Sequence, residues 1–138
     1  LRNDSEYAFE SWLSQSHIVP QLGYNLWEYH ATIIHSPHAT LENVARGQFD
    51  PIFVAPKNQK WKFLTNTEQK LCLVLQLDCE AMQVRHNELK SLGAAHSHIE
   101  YIPHVTVCYR LKTIPDLSAL PLPTLPIVFD FEYQLPIS

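Results

Sequence analysis

The spacing of hydrophobic positions along this chain changes several times, and each change predicts an element. Over 4–14, Tyr7, Ala8, Trp12 and Leu13 fall at helical spacing, with Asn3, Asp4 or Ser5 available as a cap. Pro20 and Gly23 mark a loop. Residues 27–35 read as a strand carrying the β-branched Thr32, Ile33 and Ile34, and Ser36-Pro37-His38 breaks it. Thr40 is placed to cap a short helix over 40–46 that Gly47 ends. Two short strands, 51–55 and 60–64, are joined by a turn at Pro56-Lys57-Asn58. The clearest strand is 70–78, followed by a helix over 80–91 with Met82, Val84, Arg85, Leu89 and Leu92 spread around it and Gly93 as its stop. Residues 101–111 form another strand, holding Val105, Val107 and Tyr109. Pro115, Pro121, Pro123 and Pro126 then forbid long regular structure and favour an extended path over the surface. A final strand runs over 127–135. No linker separates two cores, so 1–138 reads as one domain, an α+β fold of mostly antiparallel sheets covered by helices.

Composition narrows the classes. The chain has 138 residues, 46% hydrophobic and 17% charged, enough for a real core and far from a disordered composition. No apolar run reaches the length of a membrane span, and no signal peptide is visible at the start, where the chain opens on Leu1 without a methionine. The net charge of −4 argues against a general binder of long nucleic acid, but leaves room for a small nucleotide in one local pocket. Cys72, Cys79 and Cys108 are odd in number and form no CxxC, which suggests reduced thiols in a cytoplasm-like compartment. Eight histidines are an excess for this length and invite a search for acid–base pairs or metal sites.

Three places read His-x-Thr: His30-Ala31-Thr32, His38-Ala39-Thr40 and His104-Val105-Thr106. Their contexts differ. The first and third lie inside strand-like runs, where residues i and i+2 share a face. Each strand then presents an imidazole beside a hydroxyl, while Ala31, Ile33, Val105 and Val107 face the core. His38 follows Pro37 and leads into a polar helix, so Thr40 reads better as a cap. Two such strands side by side give a cradle of two His and two Thr. Cleaving a phosphodiester needs a base for the attacking hydroxyl or water and an acid for the leaving oxygen, and a neutral and a protonated histidine meet both needs. Hydroxyls and imidazolium can stabilise charge on the non-bridging oxygens. The chemistry requires no metal or other cofactor. Two alternatives stand beside it. The histidines can be structural strand residues, or His30, His35, His38, His96, His98 and His104 can supply metal ligands, although zinc sites usually add Cys or carboxylate at tight spacing.

The two strand-borne motifs resemble those of the 2H phosphoesterase superfamily, over most of the chain from Trp27 to Leu135. The stretches Arg85-His86-Asn87-Glu88-Leu89, Leu92-Gly93-Ala94, Tyr101-Ile102-Pro103-His104-Val105-Thr106-Val107-Cys108-Tyr109, His30-Ala31-Thr32-Ile33-Ile34-His35-Ser36 and Phe129-Asp130-Phe131-Glu132-Tyr133 are similar to one branch, the phage anti-CBASS protein 1 group (Acb1). That resemblance implies a bilobal fold, two antiparallel sheet lobes flanking a cleft with each lobe supplying one motif. It also implies nuclease activity on the cyclic di- and trinucleotides that bacteria use as antiviral signals, in the host cell cytoplasm. His30, Thr32, His104 and Thr106 would then be catalytic. Trp61 would stack on a base, Glu132 would read a base edge or orient a histidine, and Tyr109 would be a further ligand-binding position. Alternating with lysines in Lys60-Trp61-Lys62-Phe63, Trp61 also fits a core aromatic, and Glu132 also fits a solvated strand residue. The superfamily usually opens with a strand before its first helix; here that strand is missing or very short. His35 stands where the family often has Tyr, a difference that bears on base specificity. Alternatives within the same chemistry are 2′,5′-oligoadenylate or RNA 2′,3′-cyclic phosphodiesterases; a nucleotide sponge that does not cleave is a different class.

Overall fold

A computed structural model describes residues 1–16, 29–33, 47–65, 70–91, 101–109, 111, 114 and 116–132. The expected helix over 40–46, His35, His38 and the region of His96 and His98 lie outside the described residues. Helix α1 spans Asn3–Ser16 and α2 spans Glu80–Ser91. The strands are β1 (Gly47–Val54), β2 (Gln59–Thr65), β3 (Leu71–Leu77), β4 (His104–Cys108) and β5 (Ile127–Glu132). They form two antiparallel sheets, β2-β3-β4 and β1-β5. This is the expected α+β class. No helix among the described residues is long and apolar enough to cross a membrane.

Apolar residues of both sheets and both helices meet in a single cluster. β3 contributes Leu73, Leu75 and Leu77, and β5 contributes Ile127 and Phe129. Complete burial of side chains of this size contributes about 1.5–3 kcal/mol each. Helix α1 buries Ser5, Phe9 and Leu13, which recur every fourth residue. This corrects the expected face, since Tyr7 is 75% exposed. Ser5 explains the difference: its hydroxyl accepts from the Val128 N–H at 2.9 Å, and the Arg2 N–H donates to the Val128 carbonyl at 2.8 Å, so the start of α1 docks on β5.

Several boundaries depart from expectation. β1 starts at Gly47, where φ is +121°, a conformation that side chains disfavour. Its pairing with β5 is irregular between Gln48 and Ile52, the stretch containing Pro51, which has no N–H to give the ladder. The expected turn at Pro56–Asn58 is one turn of 3-10 helix. β4 is shorter than the expected 101–111, and residues beyond Glu132 in the last strand lie outside the described ones. The proline-rich connector runs over the surface as expected and is pinned there at several points. Leu120 is buried, the Trp61 indole N–H donates to the Pro121 carbonyl at 2.8 Å, and Gln59 Nε2 donates to the Leu125 carbonyl at 3.1 Å.

Candidate active site

The register of β4 fixes which side chains share a face. Gln76 pairs with His104, Leu75 with Val105 and Val74 with Thr106. On its other side β4 meets the segment 29–33 at an antiparallel bridge, Ala31 opposite Val105. Val105 is fully buried, and Ala31 and Ile33 pack against the same core. Alternation therefore puts His30, Thr32, His104 and Thr106 together on the opposite face. Around the bridge, His30 lies across from Thr106 and Thr32 across from His104. The two histidines are diagonal neighbours, a relation that spans roughly 7–8 Å in antiparallel sheets, room for a phosphate between the rings. His30 and Thr32 are exposed, His104 and Thr106 half-buried. The segment with the first motif bridges directly to the strand that carries the second.

The same face carries residues that the sequence did not single out. Lys60 pairs with Gln76 and Lys62 with Val74. Two rows thus cross the sheet, Lys60-Gln76-His104-Thr32 and Lys62-Val74-Thr106-His30. The Gln76 amide oxygen is buried and has no hydrogen-bond partner among the described residues. The lysines bring positive charge to the face on a chain whose net charge is negative.

Backbone carbonyls set the imidazoles. His104 Nδ1 lies 2.7 Å from the Ile102 carbonyl oxygen. A carbonyl only accepts, so Nδ1 carries hydrogen, and in the neutral ring the basic nitrogen is Nε2. The segment with His30 is held from several sides. The Tyr29 N–H donates to Glu6 Oε2 at 3.3 Å, and the buried Tyr29 ring meets Phe9 edge-on at 5.2 Å. The Tyr101 hydroxyl donates to the Thr32 carbonyl at 2.8 Å, and His86 Nδ1 lies 2.7 Å from the Ile33 carbonyl. Burial, with the nearby Glu10 and Glu6 carboxylates, pushes the Tyr29 phenol up to about 12. Burial likewise raises the Tyr101 phenol, which keeps its proton at neutral pH and donates it.

The expected ligand residues separate. Trp61 pairs with Leu75, on the core side of the sheet, and is 6% exposed. Its ring lies on the face opposite His104, which corrects the expected stacking role in favour of a core aromatic. Glu132 is not a solvated strand residue. Arg85 grips it with two bonds, Nη2 to Oε1 at 2.7 Å and Nε to Oε2 at 3.0 Å, and Arg85 also pairs with Glu88. Hydrogen bonding to Glu132, above all, raises the Arg85 guanidinium further. Tyr109 reaches the site face through a bulge. Leu73 pairs with Cys108 while Val74 pairs with Thr106, so Val107 is an extra residue. Both Val107 and Cys108 turn to the core, and Tyr109, half-buried, falls on the side of His104 and Thr106. Among the described residues no three His, Cys, Asp or Glu side chains converge on a point where a metal ion could sit.

Comparison with known proteins places the chain in a family. A family model described as "Anti-CBASS protein Acb1" matches residues 3–138. The Anti-CBASS protein Acb1 of Salmonella phage S16 is 30% identical over 108 residues, covering 78% of this chain and 66% of that protein. The one from Enterobacteria phage T4 is 34% identical over 77 residues, 56% of this chain and 46% of that protein. The one from Yersinia phage phiR1-RT is 30% identical over 110 residues, again 78% and 66%. The chain thus spans just under two-thirds of the length of these relatives, or less.

Proposed function

The chain belongs to the Anti-CBASS protein Acb1 family, and from that premise we propose that it is a phosphodiesterase that opens cyclic di- or trinucleotide signals by cleaving a 3′–5′ linkage, with His30 and His104 as acid and base. The observation that carries this reading is the bridge between Ala31 and Val105. It brings two His-x-Thr pairs, 74 residues apart in sequence by the numbers of His30 and His104, onto one sheet face. The family relationship supports the ligand class, because countering cyclic-oligonucleotide immunity calls for a protein that binds the signal.

In the proposed reaction the scissile phosphate lies between the two rings. One imidazole takes the proton from an adjacent ribose 2′-hydroxyl or a water as its oxygen attacks phosphorus in line. The other gives a proton to the leaving 5′ oxygen as the P–O bond breaks. On His104 the nitrogen that exchanges protons with substrate is Nε2, since Nδ1–H is committed to Ile102. Thr32 and Thr106 donate to the non-bridging oxygens, where charge grows in the transition state. Lys60 and Lys62 add attraction for the anionic ligand. Tyr109 faces the same side, and Glu132 acts through Arg85. This belongs to the 2H phosphoesterase type of chemistry, uses no metal, and would take place in the cytoplasm of an infected cell.

The test is incubation of the protein with 3′,3′-cyclic GMP–AMP, with and without EDTA, followed by chromatography of the product. Cleavage that EDTA leaves unchanged supports the two-histidine reaction. Loss of cleavage only with EDTA would overturn it in favour of a metal site. Tight binding without product would make the protein a sponge. Cleavage confined to 2′,5′-oligoadenylate or RNA cyclic phosphates would move the substrate class.

A further inference from the structure

Among the described residues the segment 29–33 meets the sheet at the Ala31–Val105 bridge, and side-chain contacts from other elements hold it as well. The inward side of α2 is Met82, His86 and Leu89, spaced four and three residues apart. His86 is a titratable group in a buried position, 5% exposed, where a polar ring requires partners. It finds two. Its ring stacks on Tyr101 with centroids 4.1 Å apart and planes 4° from parallel, and its Nδ1–H donates to the Ile33 carbonyl at 2.7 Å. The Tyr101 hydroxyl donates to the preceding carbonyl, Thr32, at 2.8 Å. The backbone bends at Ile33. Two successive carbonyls, which would point opposite ways in an extended strand, therefore both meet the same ring pair. Tyr101 also lies three residues before His104, on the lead-in whose Ile102 carbonyl takes the His104 Nδ1–H.

We propose that the stacked His86–Tyr101 pair is a clamp that positions the first motif against the second, making both residues positioning residues for the reaction. The clamp sets where His30 and Thr32 stand relative to His104, and Tyr101 ties the approach to one motif to the backbone of the other. Its catalytic consequence rests on the proposed two-histidine reaction, whereas its structural consequence does not.

The experiment pairs hydrogen exchange over residues 29–33 with steady-state cleavage of the cyclic dinucleotide and a melting curve. Tyr101→Phe keeps the stack and removes one hydrogen bond, so the fold survives. Exchange over 29–33 should rise about 5-fold, the factor that corresponds to one neutral hydrogen bond, with β3 and α1 unchanged. kcat should fall roughly 10-fold with KM within about 2-fold, as expected of misplacement rather than lost binding. His86→Asn, which keeps an N–H donor near the Nδ1 position, should lie between wild type and His86→Leu. Unchanged exchange over 29–33 in Tyr101→Phe would overturn the clamp, as would a rise shared by the whole protein in step with a lower Tm. If wild type cleaves nothing, the reaction reading fails while the exchange data still judge the clamp.

Discussion

Replacing His104 separates its two possible roles, because its two nitrogens do different work. Nδ1–H supports the backbone by donating to Ile102, while Nε2 is the nitrogen assigned to proton transfer. Asn places an amide N–H near the position of Nδ1 and has nothing at Nε2. His104→Asn should therefore keep the local structure and lose the chemistry. His104→Ala loses both. The structural cost is one neutral hydrogen bond at a half-buried position, about 1 kcal/mol, or a few degrees of Tm for a chain of this size. The chemical cost is that of removing a general acid or base, 10²–10⁴-fold or about 3–5 kcal/mol of barrier. The assay is single-turnover cleavage of a cyclic dinucleotide beside differential scanning calorimetry of the same samples. Asn and Ala should be equally slow, with Asn melting closer to wild type. If His104→Asn keeps the rate within ~10-fold of wild type, Nε2 takes no part and the reasoning is wrong. If activity in the two variants follows Tm instead, His104 is a structural residue.

Trp61→Phe removes the indole bond to Pro121 and some buried area; it should cost about 1–3 kcal/mol of stability and leave ligand affinity within ~2-fold, whereas a large loss of affinity by calorimetry would return Trp61 to the ligand. Phe9→Ala empties a fully buried position shared by α1 and Tyr29; unfolding in urea should show a loss of roughly 3–5 kcal/mol. The Tyr29 phenol is raised to about 12, so the stability that it contributes is complete below its ordinary value near 10 and is lost as pH rises from there through about 12. Wild type should therefore lose Tm across that window, and Tyr29→Phe should flatten the part due to this group; identical alkaline profiles would contradict the assignment.

What the sequence made legible was what depends on period. Residues 80–91 read as a helix and form one, and alternation around Ala31 and Val105 put the imidazoles and hydroxyls on the face away from the core. Tertiary partners were not legible. Nothing local to 4–14 shows that Ser5 caps a β5 amide and so rotates α1 until Tyr7 faces outward. Trp61 between two lysines gives the same alternation whichever face is buried, and only pairing with Leu75 decides it. For Glu132, the bidentate partner is Arg85, 47 residues earlier, a distance over which no periodicity speaks. His86 carried a signal in its buried-face spacing with Met82 and Leu89, but its stacking partner comes from a different element.

The bulge at Val107 shows how one residue can reassign a face. Strict alternation groups Val105, Val107 and Tyr109 on the core side and sends Cys108 outward with Thr106. A residue inserted opposite Leu73 turns Val107 and Cys108 inward together and moves Tyr109 to the side of the histidines. The register before the insertion, which sets His104 and Thr106 against Gln76 and Val74, is untouched. The strand thus keeps His104 and Thr106 in a regular ladder and alters its pattern only past the last of these residues. A bulge that increases local twist also bends the strand, so it changes the direction in which the chain leaves the site while the positions of the proposed acid and base stay fixed. On this argument, residues after Cys108 are freer to vary in what they present to a ligand than residues before Val107, where a one-residue slip would bury His104 and expose Val105.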